Sequence, residues 1–157
     1  MKNIHEIGLV AYLLLAASAL PAAANAAEMD AKQVTIAAKA LGFATPKASA
    51  GAKVVVTPGA APVAAVQSAL SGASVGAGDA GSAAGAFAVF VASADEAKKA
   101  AGKGTITVGN DVACVEAGAC VIAVETTPKV TIYVSKAAAS AAGIEFDPNF
   151  KMMITEK

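Results

Sequence analysis

Residues 53–72, KVVVTPGAAPVAAVQSALSG, decide how the chain is built. Val54, Val55 and Val56 are consecutive β-branched residues, so 53–57 reads as a buried strand, closed by the turn pair Pro58-Gly59. Pro62 suits the start of a helix, where its missing N–H costs nothing. Val63, Val66, Ala69 and Leu70 then follow at helical spacing, and Gly72 ends the run. Strand, turn and helix together open a βα unit. Downstream the alternation repeats: 87–92 is an apolar strand, and Ser93 or Asp95 starts a short helix. Its solvated side carries Lys98 and Lys99, it ends near Gly102, and 105–108 forms a third strand before the turn Gly109-Asn110-Asp111. Upstream, Asp30 can cap a helix through Val34, Ile36, Ala37, Ala40 and Leu41, with Gly42 as its stop and 45–51 as a linker.

Two segments break the rhythm. Residues 71–86 are almost all Gly, Ala and Ser, with little apolar surface to bury, which predicts a mobile connection. After residue 118 the pattern becomes hairpin-like: 119–125 and 129–135 are β-rich runs joined by Thr126-Thr127-Pro128. Lys129, Thr131 and Tyr133 alternate with Val130, Ile132 and Val134, the period of a half-buried strand. An Ala-rich helical turn at 137–142 stops at Gly143. Parallel strands first and an antiparallel pair later predict an α/β fold: a mixed-sheet three-layer sandwich in one small domain, with a disulfide-linked C-terminal hairpin region.

The beginning of the chain predicts export. Lys2 gives a positive start, weakened by Glu6. The fourteen residues 7–20 are an apolar core, and Ala24-Asn25-Ala26 is a small-residue cleavage pattern, so 1–26 reads as a signal peptide and 27–157 as the mature domain. As a helix the apolar run rises about 21 Å, short of a ~30 Å bilayer core, which argues against an anchor. Ala27 in place of Cys argues against a lipoprotein. No later run is long enough to predict membrane insertion once the signal is removed.

Composition narrows the function. His5 is the only His, so the mature domain has none. Every basic residue is Lys, and without Lys2 and Glu6 the acidic and basic residues balance. A neutral surface without Arg lacks the basic stripe of nucleic-acid or anionic-lipid binders. Cys114 and Cys120 are separated by Val-Glu-Ala-Gly-Ala, a spacing that a tight turn between two strands could close, and a disulfide is predicted. Two thiolates without His make a poor zinc site. A redox switch is the sharper alternative to a staple.

Several motif matches fail on their context. Residues 76–81 fit G-x-G-x-x-G but follow a predicted helix rather than a strand. Residues 72–76 fit G-x-S-x-G, but no His is left to activate Ser74. Gly102-Lys103-Gly104-Thr105 ends like a phosphate loop, yet Ala97 stands in place of its first glycine and Gly104 in place of the magnesium-binding Ser/Thr, so it reads as a turn. Carboxylates stand singly apart from Asp95-Glu96, which suits a helix first turn. No complete catalytic, cofactor or metal constellation emerges, and the expectation is a non-enzyme. Near the end, Phe146, Phe150, Met152 and Met153 are candidates for partner binding where exposed. Core packing is the plainer reading of them.

Two stretches taken together resemble the YfiR-like family of small periplasmic proteins, often treated as a domain of unknown function. One is Ile106-Thr107-Val108-Gly109, the Cys114/Cys120 pair, Val121-Ile122 and the run from Lys129 to Val134. The other is the 137–142 helix with Gly143-Ile144-Glu145-Phe146 and Phe150-Lys151-Met152-Met153-Ile154. The N-terminal helix, Leu41-Gly42-Phe43 and the Val-rich strand are similar in outline. Ser135 stands where many relatives have Asn, and 71–86 is unusually poor in large apolar residues. The resemblance implies a periplasmic, non-enzymatic regulator that binds the periplasmic region of an inner-membrane signalling protein, such as a diguanylate cyclase or sensor kinase. A small-ligand-binding protein associated with transport is the competing expectation.

Overall fold

A computed structural model describes residues 27–157. The expected signal segment, 1–26, lies outside the described residues.

The strand at 53–57 forms as β2, Lys53–Val56, and it organises a seven-stranded sheet. Its βα unit continues through α2, Val63–Ala69, into β3, Ser74–Ala77. Next come a 3-10 turn at Ala80–Ser82 and β4, Ala88–Phe90. They are followed by α3, Ala94–Ala100; β5, Ile106–Gly109; α4, Val112–Glu116; and β6, Ile122–Glu125. These five strands are mutually parallel in the spatial order β3-β2-β4-β5-β6. The chain then turns back: β7, Thr131–Val134, is antiparallel to β6, and β9, Thr155–Glu156, closes that side parallel to β7. The predicted hairpin is thus present at β6–β7, shorter at both ends than its β-rich runs.

Helices cover both faces. Pleating sends Val54 and Val56 to one side and Val55 to the other. The first side packs against α1, Ala31–Leu41, together with α2 and α5, Lys136–Ala142. The second side packs against α3, α4 and the 3-10 turn. This is the three-layer α/β sandwich. Asp30 caps α1 in a reciprocal box with Gln33, Ser93 caps α3 and Ser135 caps α5. Gly143 ends α5 in the left-handed region at φ 70°.

Two expectations are corrected. Residues 71–86 are not a featureless connection. Ser74–Ala77 pairs in register with β2, because backbone hydrogen bonding to a strong Val-rich neighbour needs no large side chains from the edge strand. The Cys114–Cys120 bridge does not close the neck of two strands. Asp111, read as part of a turn, caps α4 by accepting from the Ala113 N–H, so Cys114 is helical and Cys120 lies in the loop leading to β6.

Candidate interaction surface

In an open parallel sheet the usual ligand crevice lies beyond the strands' C-terminal ends, where the strand order reverses. Here that point falls between β2 and β4, and the protein's own groups bond across it. Glu96, in the first turn of α3, accepts from the Thr57 hydroxyl (2.7 Å) and the Ala92 N–H (2.9 Å). Met29 crosses the same end. Its N–H donates to the Ala60 carbonyl at 2.9 Å, and its side chain is buried. The sequence marked Asp95-Glu96 only as a favourable helix start; the cross-strand role of Glu96 needs the topology to be known.

The motif matches resolve as backbone geometry. Gly78, within the G-x-G-x-x-G match, passes so close to β2 that a Cβ there would meet Val55 Cγ1 at 3.2 Å. A 3-10 turn follows it, rather than the α-helix that a dinucleotide site requires. Ser74 opens an edge strand instead of a nucleophile elbow. Gly104 takes φ 75° in the turn before β5. Among the described residues no group of three or more His, Cys, Asp or Glu side chains gathers around a metal-sized space.

The disulfide is built into the sheet end. Cys114 and Cys120 are bonded, with Cα atoms 5.2 Å apart. Beneath them Gly109 ends β5, and a Cβ at that position would meet Cys120 Sγ at 2.9 Å. Thr107 in the same strand donates its hydroxyl to the Ala119 carbonyl (3.1 Å) and accepts from the Val121 N–H (3.0 Å). Strand β5 thereby holds the returning loop twice, through one glycine and one buried threonine. A cavity of about 190 Å³ beside the bridge is smaller than ordinary ligand pockets of ~300–1,000 Å³.

The C-terminal cluster divides. Phe146 lies on β8, Glu145–Phe146, which pairs antiparallel with β1, Ala44–Thr45. Phe150 lies on α6, Pro148–Lys151. Both are buried, at 6% and 1% exposure, so as partner-binding candidates they are corrected to core. Phe150 stacks on Phe43 at 4.9 Å and meets Phe146 at 5.5 Å, which anchors this short helix. Met152 and Met153 are the reverse case, 80% and 63% exposed. The turn that carries them is fixed to the aromatic cluster, because the Met153 N–H donates to the Phe150 carbonyl at 2.9 Å. Phe43, at 37% exposure, shows part of its ring on the same corner. Sequence reasoning missed Phe43, since no local pattern sets it against residues a hundred positions away. A neighbouring groove of about 380 Å³ is lined by Val134, Ile144, Phe146, Lys136 and Glu156.

No helix among the described residues is long and apolar enough to cross a membrane. No protein-family model matches the chain, and no curated protein matches it.

Proposed function

We propose that the protein is a non-enzymatic periplasmic regulator that binds the periplasmic region of an inner-membrane signalling protein. The observation that carries this reading is the corner where Met152 and Met153 stand exposed on a turn anchored by the buried Phe150. Exposed methionines on a rigid base suit a protein contact, because the flexible thioether adapts to a partner's surface while the base costs little ordering entropy. The contacts of Glu96 and the buried Met29 at the β2–β4 point weigh against a ligand at that point, and the cavity at the ends of β4 and β5 is small. The disulfide is compatible with an oxidising compartment, the signal-like start with export, and the YfiR-like order of motifs with a signalling partner.

Deleting the protein should change the output of a membrane signalling system, and restoring it should return that output. A chain carrying Met152→Asp and Met153→Asp should fold, reach the same compartment and fail to restore it. Unchanged cyclic-dinucleotide levels and unchanged membrane-sensor output in the deletion strain would remove the proposal. A second reading, small-ligand binding linked to transport, draws on the groove beside Phe146. It predicts a ligand-dependent rise in thermal midpoint that the Met152 and Met153 substitutions leave intact.

A further inference from the structure

Among the described residues the outer edge of the sheet at β3 is open. Ser74 donates its N–H to the Ala52 carbonyl (2.9 Å) and Gly78 to that of Val56 (3.1 Å), so both face β2. Alternation along the strand then turns the N–H and C=O of Val75 and Ala77 outward. Among the described residues no strand pairs with that side, and Ser74, Gly76 and Ala77 are exposed.

Natural sheets guard such an edge with lysines, prolines, bulges or a covering element. Strand β3 carries no charge and no proline. From Val54 to Gly78 there is no Asp, Glu, Lys or Arg, and Asp79 is the one charged residue between Lys53 and Asp95. Helix α2, packed beside β3, shares this neutrality and leaves Val63 36% exposed. At the other edge, β9 carries Glu156, paired with Lys136 at 2.7 Å.

We propose that the β3 edge is a homodimer interface, in which a second copy adds its own β3 antiparallel about a two-fold axis through Gly76. The register follows from the hydrogen-bond directions. Gly76 faces inward to β2, so the two Gly76 residues meet as a non-hydrogen-bonded pair. Val75 of each copy exchanges N–H and C=O with Ala77 of the other in a hydrogen-bonded pair. All outward groups of both residues are then paired. A two-fold axis sets this surface against itself, so only a surface without a dominant charge of one sign can meet its own copy without repulsion. A strand this short buries too little alone for the ~1,000 Å² of a stable interface, and the uncharged face of α2 beside it extends the contact. The inference does not depend on the regulator reading, because β3 and β9 are opposite ends of the sheet. In the dimer both methionine corners stay free, and the assembly is bivalent towards its partner.

The test is the solution mass of the protein purified from cells expressing the whole chain, measured by light scattering and sedimentation over a concentration series. The expected mass is twice that of one chain, approached as concentration rises. Gly76→Lys should give a monomer with an unchanged thermal midpoint, since a Cβ there meets nothing within 4 Å in the single chain. Ala77→Pro should do the same by removing an outward N–H that makes no bond to β2. Mixing Gly76→Lys with Gly76→Glu should restore the dimer, because opposite charges then face each other across the axis. A wild-type protein that stays monomeric throughout would overturn the proposal. So would a dimer indifferent to both substitutions, or an edge that pairs only with a different protein.

Discussion

The two sides of the sheet are held together differently. Around β2, β3 and β4 the chain is mostly Val, Ala and Gly. Its helices lie on a continuous parallel ladder with no covalent, ionic or aromatic brace among the described residues. Among the described residues the disulfide, both ion pairs and the cation–π contact of Lys157 over Tyr133 all occur from α4 onward. The aromatic stack does too, borrowing only Phe43 from the first half. The braced half also holds the shortest α-helices and two of the two-residue strands: α4 has five residues, α6 four, β8 and β9 two each. Helices of one turn cannot sustain themselves, so side chains must hold them. The first half gets its cohesion from β-branched strands and close small-residue packing, and it has an uncharged edge to spare.

This contrast can be broken residue by residue. Phe150→Ala should have the largest effect, about 3–5 kcal/mol of stability, because it empties a buried site that anchors α6 and the ring of Phe43. Denaturant unfolding measures it. A loss below 1 kcal/mol would mean that the corner is not built on that ring. Replacing Cys114 and Cys120 together with Ala should cost about 2–3 kcal/mol, the loop-closure value for so short a separation. Full stability combined with loss of redox-dependent control of a partner would make the bridge a switch instead of a staple.

Gly109→Ala should destabilise by about 1–3 kcal/mol, because the added methyl meets a bonded sulfur that cannot swing aside. The cost should shrink in the chain lacking both cysteines, a coupling that a double-mutant cycle reads directly. Lys157 gives the smallest effect. Its hydrogen bond to the Glu116 carboxylate (2.7 Å), with the attraction of that charge, raises its pKa above the ordinary lysine value of 10.5. A raised folded-state pKa means that the contribution is present below the unfolded value and is lost as pH rises through the folded one. The stability difference between the protein and Lys157→Met should therefore be small at neutral pH, shrink in salt and vanish above the lysine range.

Sequence carried much of this architecture, and where it fell short the reasons are local. The 53–57 strand, the α2 run and the Asp30 cap were legible because β-branched runs and capping residues act through the nearest neighbours. Strand β3 was not, since Ser-Val-Gly-Ala has no strand signal of its own and is ordered by β2. Helix α4 was hidden in the same way: Asn110-Asp111 reads equally well as a turn or as a cap, and five residues show no period. At the corner, the Phe/Met composition pointed to the right segment without sorting it. Burial of Phe146 and Phe150 and exposure of Met152 and Met153 depend on the β1–β8 pairing, a contact between distant residues.

The proposed role rests on what touches that corner in the cell. A photo-crosslinking amino acid placed at Met152 should capture a membrane protein through its extracytoplasmic region. The same group at Lys98, exposed on α3, should not. One dominant adduct is expected from position 152, lost when Met153 is also changed to Asp. No adduct from position 152, or the same adducts from both positions, would contradict it.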